Sequence, residues 1–406
     1  MADVVVVGAG PVGLWTAIQA KIQNNNLRIT ILDKYADYQR KQALWVDPKS
    51  LLGVPDHEEL KKICDNFKEK KLVPIQEMQE ALAGCAKALG IKFKTETFED
   101  PSALKTEFPD AQVFIGADGA YSKVRETVFG NVKSLDRTVQ RIVQVSYKTK
   151  TNAQKLNQLH ETSMKVNAGT FVQEHAKGYG VALRFFVTSN EYKRVKDAKA
   201  RTPWTLDNSK IPESLKKGIE DWIRTRKQKL GEEIDDTAQI QLTAVPLHVY
   251  SARRVVAQDK DNSGVTWCLV GDAAGGVPYF RSLNKGLLEG TRLASVVARV
   301  TDQSRQDIAM GRIWRGASYF TSWWKVEGNV DRDFAAYATF VSYTAVRENI
   351  GAFIKSIGIN LLRLIFAVTY YVTPTFVSNW VKVTFLDWER EGVELLDAVV
   401  EPLPAT

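Results

Sequence analysis

The stretch VVVVGAGPVG at residues 4–13 decides the fold of this chain. Four consecutive valines are typical of a strand that is buried on both faces of a parallel sheet. The glycines that follow have the G-x-G-x-x-G spacing of a dinucleotide-binding turn. In such a turn Gly8 permits the tight bend, Gly10 lets a pyrophosphate approach the backbone, and Gly13 lets the next helix pack against the strand.

The residues that follow complete a βαβ unit. A helix is predicted over Leu14–Gln23, and its N-terminal amides and positive dipole end favour phosphate binding. A second predicted strand, Leu27–Leu32, ends at Asp33, where a ribose-binding carboxylate is expected. We interpret the unit as a dinucleotide site. The alternative is a strand–helix turn that carries glycines for structural reasons only.

Two later apolar strands also end in an aspartate. Residues 112–116 lead into Asp118-Gly119, and residues 265–270 lead into Gly271-Asp272. Ligands of α/β sheets bind at the C-terminal edge of the strands, so both carboxylates are expected at that edge. A plain Asp-Gly turn is the alternative for the first of them. A helix predicted over Leu287–Val300 follows, and its N-terminus offers amides to an anion or an electron-rich ring.

Length and composition place the chain among ordinary globular proteins. Its 406 residues suffice for two domains, and 44% of them are hydrophobic. The first strand begins so early that no cleavable leader is expected. Three widely spaced cysteines predict a reducing compartment, and four histidines without ligand spacing predict no metal. We therefore expect a cytoplasmic protein, and the sequence predicts no particular oligomeric state.

The net charge of +8 raises the question of an anionic partner. Much of the excess lies in Lys193–Arg201 and Lys216–Lys229, which have the pattern of solvated loop and helix faces. No motif of interleaved aromatic and basic residues accompanies the charge, so no nucleic-acid partner is expected.

The hydrophobic pattern predicts an α/β fold with an insertion. Residues 1–134 and 265–330 are predicted to form one Rossmann-like domain in two parts. Residues 135–264 carry longer alternating strands, typical of an inserted antiparallel sheet that forms a substrate domain. The clearest of these strands are predicted at Ile142–Tyr147, Gly178–Val187 and Ala238–Val249, and a helix is predicted over Glu213–Lys227.

Residues 331–406 are predicted to form a C-terminal helical region. Within it, residues 350–372 are strongly apolar but interrupted by Lys355, Asn360 and Arg363. An ordinary buried helix, an interfacial amphipathic helix and a membrane span are the three interpretations of this segment. Peripheral membrane contact through the C-terminal helices is therefore one expectation.

The order of the three motifs resembles the group A flavoprotein monooxygenases, which have the fold of p-hydroxybenzoate hydroxylase. The resemblance covers about residues 1–130 and 265–300. The stretch DGAYSKVR at residues 118–125 is similar to kynurenine 3-monooxygenase. The passage from Tyr250 to Asp272 and the regions around Arg40 and Gln76 are more similar to the MICAL monooxygenase domains.

The resemblance implies that FAD is the bound dinucleotide, so that residues 1–134 and 265–330 form an FAD-binding domain. It implies a monooxygenase in which NAD(P)H, a transient co-substrate, reduces the flavin and O2 forms a C4a-hydroperoxyflavin. That species then hydroxylates or epoxidises a small organic, aromatic substrate. The alternatives are a MICAL-like protein-modifying oxidase and a flavoprotein without oxygenation, such as a reductase.

The resemblance also implies roles for particular residues. Asp33 would hold the adenosine ribose, Asp272 a ribityl or pyrophosphate-side hydroxyl, and Asp118 belongs to a motif associated with both FAD and NAD(P)H. The backbone of residues 282–284 would face the pyrimidine side of the flavin. The expected cofactor-binding residues are Gly8, Gly10, Pro11, Val12, Gly13, Asp33, Lys34, Arg40, Gln76, Asp118, Gly271, Asp272, Pro278, Ser282, Leu283 and Asn284.

Three positions depart from the family pattern. Gly275 stands where many relatives have His, Arg281-Ser282-Leu283 replaces Gly-x-Gly, and Gln76 stands where Arg is common. Arg281 is of interest because a guanidinium in the flavin loop can bind a carboxylate substrate bidentately. The candidate substrate residues are Tyr279, Arg281, His248, Tyr343 and Asn349, with packing or surface hydrogen bonding as the alternative for each. No catalytic acid or base is assigned.

Overall fold

The structure is a computed structural model of the chain. It describes residues 2–35, 43–70, 72–158, 160–161, 164–165, 171–199, 202–235, 239–259, 261, 264–277, 281–301, 326–327 and 332–372. Three predicted site residues, Arg40, Pro278 and Tyr279, lie outside these ranges, as does the side chain of Asn349. The chain forms two compact units, residues 1–137 with 249–349 and residues 138–248 with 350–406.

The described part of the chain contains both strands and helices. The strands are β1 (Val4–Val7), β2 (Ile29–Asp33), β3 (Ala43–Trp45), β4 (Leu72–Pro74), β5 (Lys92–Thr95), β6 (Val113–Gly116), β7 (Lys133–Lys148), β8 (Val172–Lys177), β9 (Gly180–Phe186), β10 (Gln241–Ala252), β11 (Val256–Gln258), β12 (Thr266–Leu269) and β13 (Val326–Glu327). The helices are α1 (Pro11–Gln23), α2 (Glu58–Lys70), α3 (Ile75–Ala88), α4 (Pro101–Glu107), α5 (Lys123–Phe129), α6 (Ser189–Val195), α7 (Glu213–Leu230), α8 (Ser282–Val300) and α9 (Arg332–Val372).

The first unit is organised around a seven-stranded sheet in the order β13-β11-β12-β6-β1-β2-β5. The five strands from β12 to β5 are parallel, and all four valines of β1 are buried, as their continuous apolar run predicts. Helices α1 and α8 pack together, and the Trp15 indole of α1 donates to the Leu287 carbonyl at 3.0 Å. The predicted Rossmann-like α/β sheet is confirmed.

The second unit contains the separate antiparallel sheet, in the order β10-β7-β9-β8. Its core includes Leu215, Ile219 and Trp222 of α7, the apolar face that the helical spacing predicts. Strand β8 was not predicted, because its sequence VQEHAK interrupts the apolar alternation with polar residues. Glu174 of that strand is nevertheless buried, because it has partners in the core.

The compact units do not divide at the predicted domain boundaries. Strand β10 belongs to the antiparallel sheet, yet after it the chain enters β11, which pairs with β12 of the parallel sheet. Residues 249–264 therefore fall in the first unit, although the sequence places them in the 135–264 region. Strand β11 is three residues long and too short for a recognisable alternation, so the sequence does not mark the return of the chain to the parallel sheet.

Helix α9 contains the described part of the apolar C-terminal segment. One face is tied down: the Gln140 amide donates to Ser356 Oγ and to Asn360 Oδ1, both at 3.1 Å. A neighbouring apolar face, formed by Ile350, Phe353, Ile357, Leu361 and Leu364, is at least 45% exposed. Among the described helices, none combines the length and hydropathy that a bilayer crossing requires. Contact of this face with a membrane surface stays a prediction.

A buried ionic network ties the second unit together. The Arg226 guanidinium of α7, fully buried, bonds the carboxylates of Glu174 and Glu232 and donates from Nε to the Tyr147 hydroxyl at 2.9 Å. The Trp222 indole donates to the second Glu174 oxygen at 2.9 Å. Burial by itself would lower the pKa of Arg226, but the hydrogen bond with Glu232 and the neighbouring negative charges raise it above its ordinary value.

We expect Arg226→Gln to destabilise the second unit, because it leaves two buried carboxylates without their counter-ion. The loss in free energy of unfolding should be about 3–5 kcal/mol, measured by urea denaturation. Arg224→Gln on the same helix is the control, since Arg224 is 64% exposed and its one ion pair with a described residue is with Asp221. Equal unfolding midpoints for the two variants would contradict a structural role for the network.

Candidate functional site

Four parallel strands end in one row at the edge where the three motifs lie. Backbone pairing aligns Val7 of β1 with Leu32 of β2 and with Gly116 of β6, which in turn is aligned with Leu269 of β12. The residues that immediately follow are those of the predicted motifs. The sheet register therefore brings together segments that are about 260 residues apart in the sequence.

The glycine turn contains two positions at which a side chain has no space. A Cβ on Gly8 would lie 2.5 Å from the Ala117 carbonyl oxygen, and Gly8 has a φ of +114°. A Cβ on Gly13 would lie 2.1 Å from the Gly8 carbonyl oxygen. Gly8 thus permits the bend and the close approach of β6, and Gly13 permits helix α1 to pack against the turn.

Gly10 differs from both, because a Cβ at this position would meet nothing within 4 Å. Its backbone is in an ordinary extended conformation, with a φ of −68°. The first hydrogen bond of α1 runs from the Leu14 amide to the Gly10 carbonyl, so the amides of Val12 and Gly13 precede it, and Pro11 has none. Gly10 therefore borders open space at a helix N-terminus, the arrangement that a pyrophosphate needs.

Asp33 fastens the end of β2 to this turn. Its Oδ2 accepts from the Ala9 amide at 2.6 Å, and its Oδ1 accepts from the Tyr35 amide at 2.9 Å. Each carboxylate oxygen retains a further lone pair for a ribose hydroxyl. Lys34 is exposed, with its ammonium 5.0 Å from the Tyr35 ring centroid.

Gln79 of α3 also contacts the turn, and no sequence motif marks it. Its Nε2 donates to the Ala9 carbonyl at 2.8 Å, while its Oε1 is buried and has no hydrogen-bond partner among the described residues. The predicted Gln76 lies one turn earlier, is exposed, and donates to Glu80 at 2.9 Å. Burial and the contact with residue 9 therefore distinguish Gln79 from Gln76.

Asp118 has one bonded and one free carboxylate oxygen. Oδ2 accepts from the amides of Lys123 and Val124 at 2.6 and 3.2 Å and so caps α5. Oδ1 is buried without a hydrogen-bond donor in the described part of the chain. Gly119 follows with a φ of +85°, which turns the chain at this point. A buried carboxylate oxygen without a donor indicates a position that a ligand hydroxyl would fill.

Arg125 joins the second motif to the third. Its buried guanidinium donates to the carbonyls of Ala120 and Ala273 at 2.7 and 2.9 Å, and to that of Asp272 at 3.4 Å. All three acceptors are backbone oxygens of the two loops. We assign Arg125 a positioning role, because it holds the Asp272 loop against the Asp118 loop.

The Gly271-Asp272 loop packs directly on the first turn of α1. Gly271 has a φ of +62°, and a Cβ there would lie 3.0 Å from Val12 Cγ1. A Cβ on Gly286 of α8 would lie 2.6 Å from Val12 Cγ2. Val12 is therefore enclosed by two glycines of the returning chain. The Asp272 carboxylate is half-buried and accepts no hydrogen bond from the described residues.

The departure at Gly275 has a steric reason. A Cβ on Gly275 would lie 2.8 Å from the Tyr250 carbonyl, and one on Gly276 would lie 2.3 Å from Tyr250 Cε1. The Tyr250 hydroxyl donates to the Asp272 carbonyl at 2.7 Å, and burial raises the pKa of Tyr250. No side chain at residue 275 fits beside this tyrosine, so a histidine is excluded there.

The start of α8 supplies amides in the same way as that of α1. Its first backbone bond runs from Lys285 to Arg281, so the amides of Ser282, Leu283 and Asn284 precede it. The Ser282 hydroxyl bonds the Val277 backbone, and the Asn284 side chain holds the segment after β3 by accepting from the Asp47 amide at 2.9 Å. Their side chains therefore shape the loop, and their amides stay available.

A buried ion pair between Lys285 and Glu289 lies within the first turns of α8. Lys285 Nζ lies 2.7 Å from Glu289 Oε1 and donates to the Gly275 carbonyl at 3.1 Å. Burial raises the pKa of Glu289. Through the bond to the Gly275 carbonyl, Lys285 fixes the C-terminal end of the Gly271–Gly275 segment to α8.

The candidate substrate residues are dispersed. Arg281 lies at the start of α8 near Glu348, and Tyr343 of α9 is 54% exposed. His248 belongs to the second unit, where its Nδ1 lies 3.2 Å from Thr138 Oγ1. Among the candidate substrate residues that the structure describes, Arg281 is the one that adjoins a predicted cofactor segment, residues 282–284 at the start of α8.

No known family profile and no curated protein matches this sequence. Solved structures do resemble it. The anhydrotetracycline hydroxylase OxyS from Streptomyces rimosus has a TM-score of 0.56 over 100% of this chain and 78% of that chain, at 15% identity. The flavin-dependent halogenase CmlS has a TM-score of 0.55 over 95% of this chain and 70% of that one, at 12% identity.

A structure of P. aeruginosa PqsL in complex with 2-aminobenzoylacetate has a TM-score of 0.54 over 91% of this chain and 100% of that chain, at 11% identity. Similarity at this level of identity shows a shared fold. Together with the sheet order, it shows that the chain has the fold of these structures, a hydroxylase and a flavin-dependent halogenase among them, which is consistent with the fold that its three motifs predict.

Proposed function

We propose that this protein is an FAD-dependent monooxygenase that uses NAD(P)H and O2 to hydroxylate or epoxidise a small aromatic compound. The observation that carries the proposal is the convergence of the glycine turn, the Asp118 loop and the Asp272 loop at one sheet edge. At that edge there is open space beside Gly10, and the buried Oδ1 of Asp118 accepts no hydrogen bond from the described residues. Both features fit an extended dinucleotide.

The shared fold supports an oxidoreductase of this kind. OxyS is a hydroxylase and CmlS is a flavin-dependent halogenase, and PqsL was solved with an aromatic compound. A fold by itself hosts many functions, so the residues at the sheet edge carry more weight than the similarity.

Different groups at the sheet edge suit different parts of FAD. The amides at the start of α1 suit the pyrophosphate, and the lone pairs of Asp33 suit the adenosine ribose. Asp118 Oδ1 and the Asp272 carboxylate are acceptors for hydroxyl groups. The amides of residues 282–284 are donors for an electron-rich ring edge. When bound, FAD would supply the redox chemistry between NAD(P)H and O2.

The chain's own contribution to the reaction is then positioning. Arg125 and Tyr250 hold the Asp272 loop through its backbone carbonyls, and Lys285 holds the Gly275 carbonyl. Each of these bonds fixes backbone that would border the cofactor. A site built in this way orients its ligands before they react and keeps water away from them.

The proposal is tested by supplying candidate substrates to the flavin-loaded protein. We expect small aromatic compounds to stimulate NAD(P)H oxidation, with incorporation of one oxygen atom into the product, measured by absorbance and mass spectrometry. Peroxide release that only a protein partner stimulates would instead support the protein-modifying alternative. A flavin that NAD(P)H does not bleach would overturn the monooxygenase proposal.

We expect Gly10→Trp to remove flavin binding while leaving the fold intact. The added side chain meets no protein atom at its Cβ and needs no unusual backbone angle, but it fills the space proposed for the pyrophosphate. The flavin-to-protein ratio after purification should fall at least about tenfold, with an unchanged circular dichroism spectrum.

Gly84→Trp is the matched control for that variant. Gly84 is exposed on α3, and a Cβ there also meets nothing within 4 Å. Normal flavin content in Gly10→Trp, or equal loss in Gly84→Trp, would reject the cofactor assignment.

We expect Asp118→Asn to weaken FAD binding about tenfold. An NH2 group would replace Oδ1, the oxygen that accepts no hydrogen bond from the described residues and that we assign to a cofactor hydroxyl. The remaining amide oxygen can still accept from the Lys123 amide, so thermal stability without flavin should change little. Asp100→Asn is the control, because the Asp100 carboxylate also accepts a backbone amide at a helix start, as the N-cap of α4. The dissociation constant from flavin fluorescence titration measures the difference, and equal constants for both variants would contradict the role of Asp118.

A further inference from the structure

Two guanidinium groups share one buried carboxylate at the start of α8. Arg347 Nη2 donates to Glu348 Oε1 at 2.9 Å, and the Glu348 side chain is only 5% exposed. Arg281 lies on the other side, with its Nη1 3.4 Å from Glu348 Oε2 and its Nη2 3.5 Å from Oε1. Two positive charges and one negative charge leave this cluster with a net charge of +1.

The bonding within the cluster is incomplete. Hydrogen bonds between a guanidinium and a carboxylate usually measure about 2.7–2.9 Å, so Arg281 is held only loosely, and its side chain is 38% exposed. Arg347 Nε is buried and has no acceptor among the described residues. A buried donor without an acceptor is unfavourable, and an incoming anion would satisfy it.

Among the described residues, Glu348 is the one carboxylate that pairs with Arg281 and Arg347. Arg281 directly precedes α8, whose first three amides are unbonded within the helix and add positive potential. Lys285 and Glu289, one turn further on, neutralise each other. The excess of one charge therefore remains at Arg281 and Arg347.

We propose that Arg281, Arg347 and Glu348 form a binding site for the carboxylate of the substrate, which would be an aromatic carboxylic acid. Glu348 acts as a fixed counter-ion that orients both guanidinium groups, and the substrate carboxylate neutralises the remaining charge. A net charge of +1 matches a carboxylate, whereas a phosphate dianion would overcompensate it. The identification of this anion as the substrate rests on the proposed function.

Isothermal titration of the full-length protein with benzoate and with benzamide tests the site. The two probes have nearly the same shape and differ in charge. We expect benzoate to bind at least about tenfold more tightly than benzamide. Arg281→Gln and Arg347→Gln should each weaken benzoate binding about tenfold or more and leave benzamide unchanged. Arg281→Lys should fall between Arg281→Gln and the natural protein, because it keeps the charge but loses the planar fork.

Arg292→Gln is the matched control, since Arg292 is exposed on the same helix. Equal affinity for both probes, tighter binding of inorganic phosphate than of benzoate, or unchanged benzoate binding in both Arg281 variants would overturn the site.

Calorimetry needs no turnover, so the two proposals can fail separately. A colourless protein that cannot bind FAD but prefers benzoate rejects the monooxygenase and keeps the anion site. A flavin-loaded protein that binds benzoate and benzamide equally rejects the anion site and keeps the monooxygenase proposal.

Discussion

The first unit depends on two places where backbone meets backbone without room for a methyl group. At Gly13 the helix approaches the Gly8 carbonyl, and at Gly8 the turn approaches the Ala117 carbonyl. These contacts set the distances between β1, α1 and the loop after β6. Any residue other than glycine would separate the three elements, and the open space beside Gly10 would lose its walls. The candidate cofactor site is thus a product of packing at the glycines.

Side-chain contacts hold the Asp272 loop, which is distant in the sequence, against the first two motifs. Arg125 and Tyr250 bond to the backbone of the Asp272 loop, and Val12 fills the space that Gly271 and Gly286 leave. Arg125 and Tyr250 are not among the predicted cofactor-binding residues, and Val12, which is, would offer the cofactor its backbone amide. The geometry of the site is therefore maintained by residues behind it, and its own carboxylates, such as Asp118 and Asp272, keep oxygens without donors from the described residues.

Much of the fold was predictable from local patterns, since buried strands, glycine spacing and strand-end aspartates are visible in adjacent residues. The parallel sheet, the separate antiparallel sheet and the order of the motifs follow from such patterns. The role of Gln79 does not, because nothing in its neighbourhood distinguishes it from Gln76. Gly275 looked like a departure until the position of Tyr250 was known. Long-range contacts of this kind leave no periodic signal in the sequence, and the buried partners of Arg226 are a further example.

The pairing of β6 with β12 has a consequence for synthesis on the ribosome. Val113 is aligned with Thr266, so the strand VFIG must wait for a partner that is made about 150 residues later. At typical elongation rates this delay is about 8–30 s. During that interval a wholly apolar strand presents unsatisfied amides and carbonyls along one edge. The nascent chain is thus prone to aggregation until β12 of the first unit emerges.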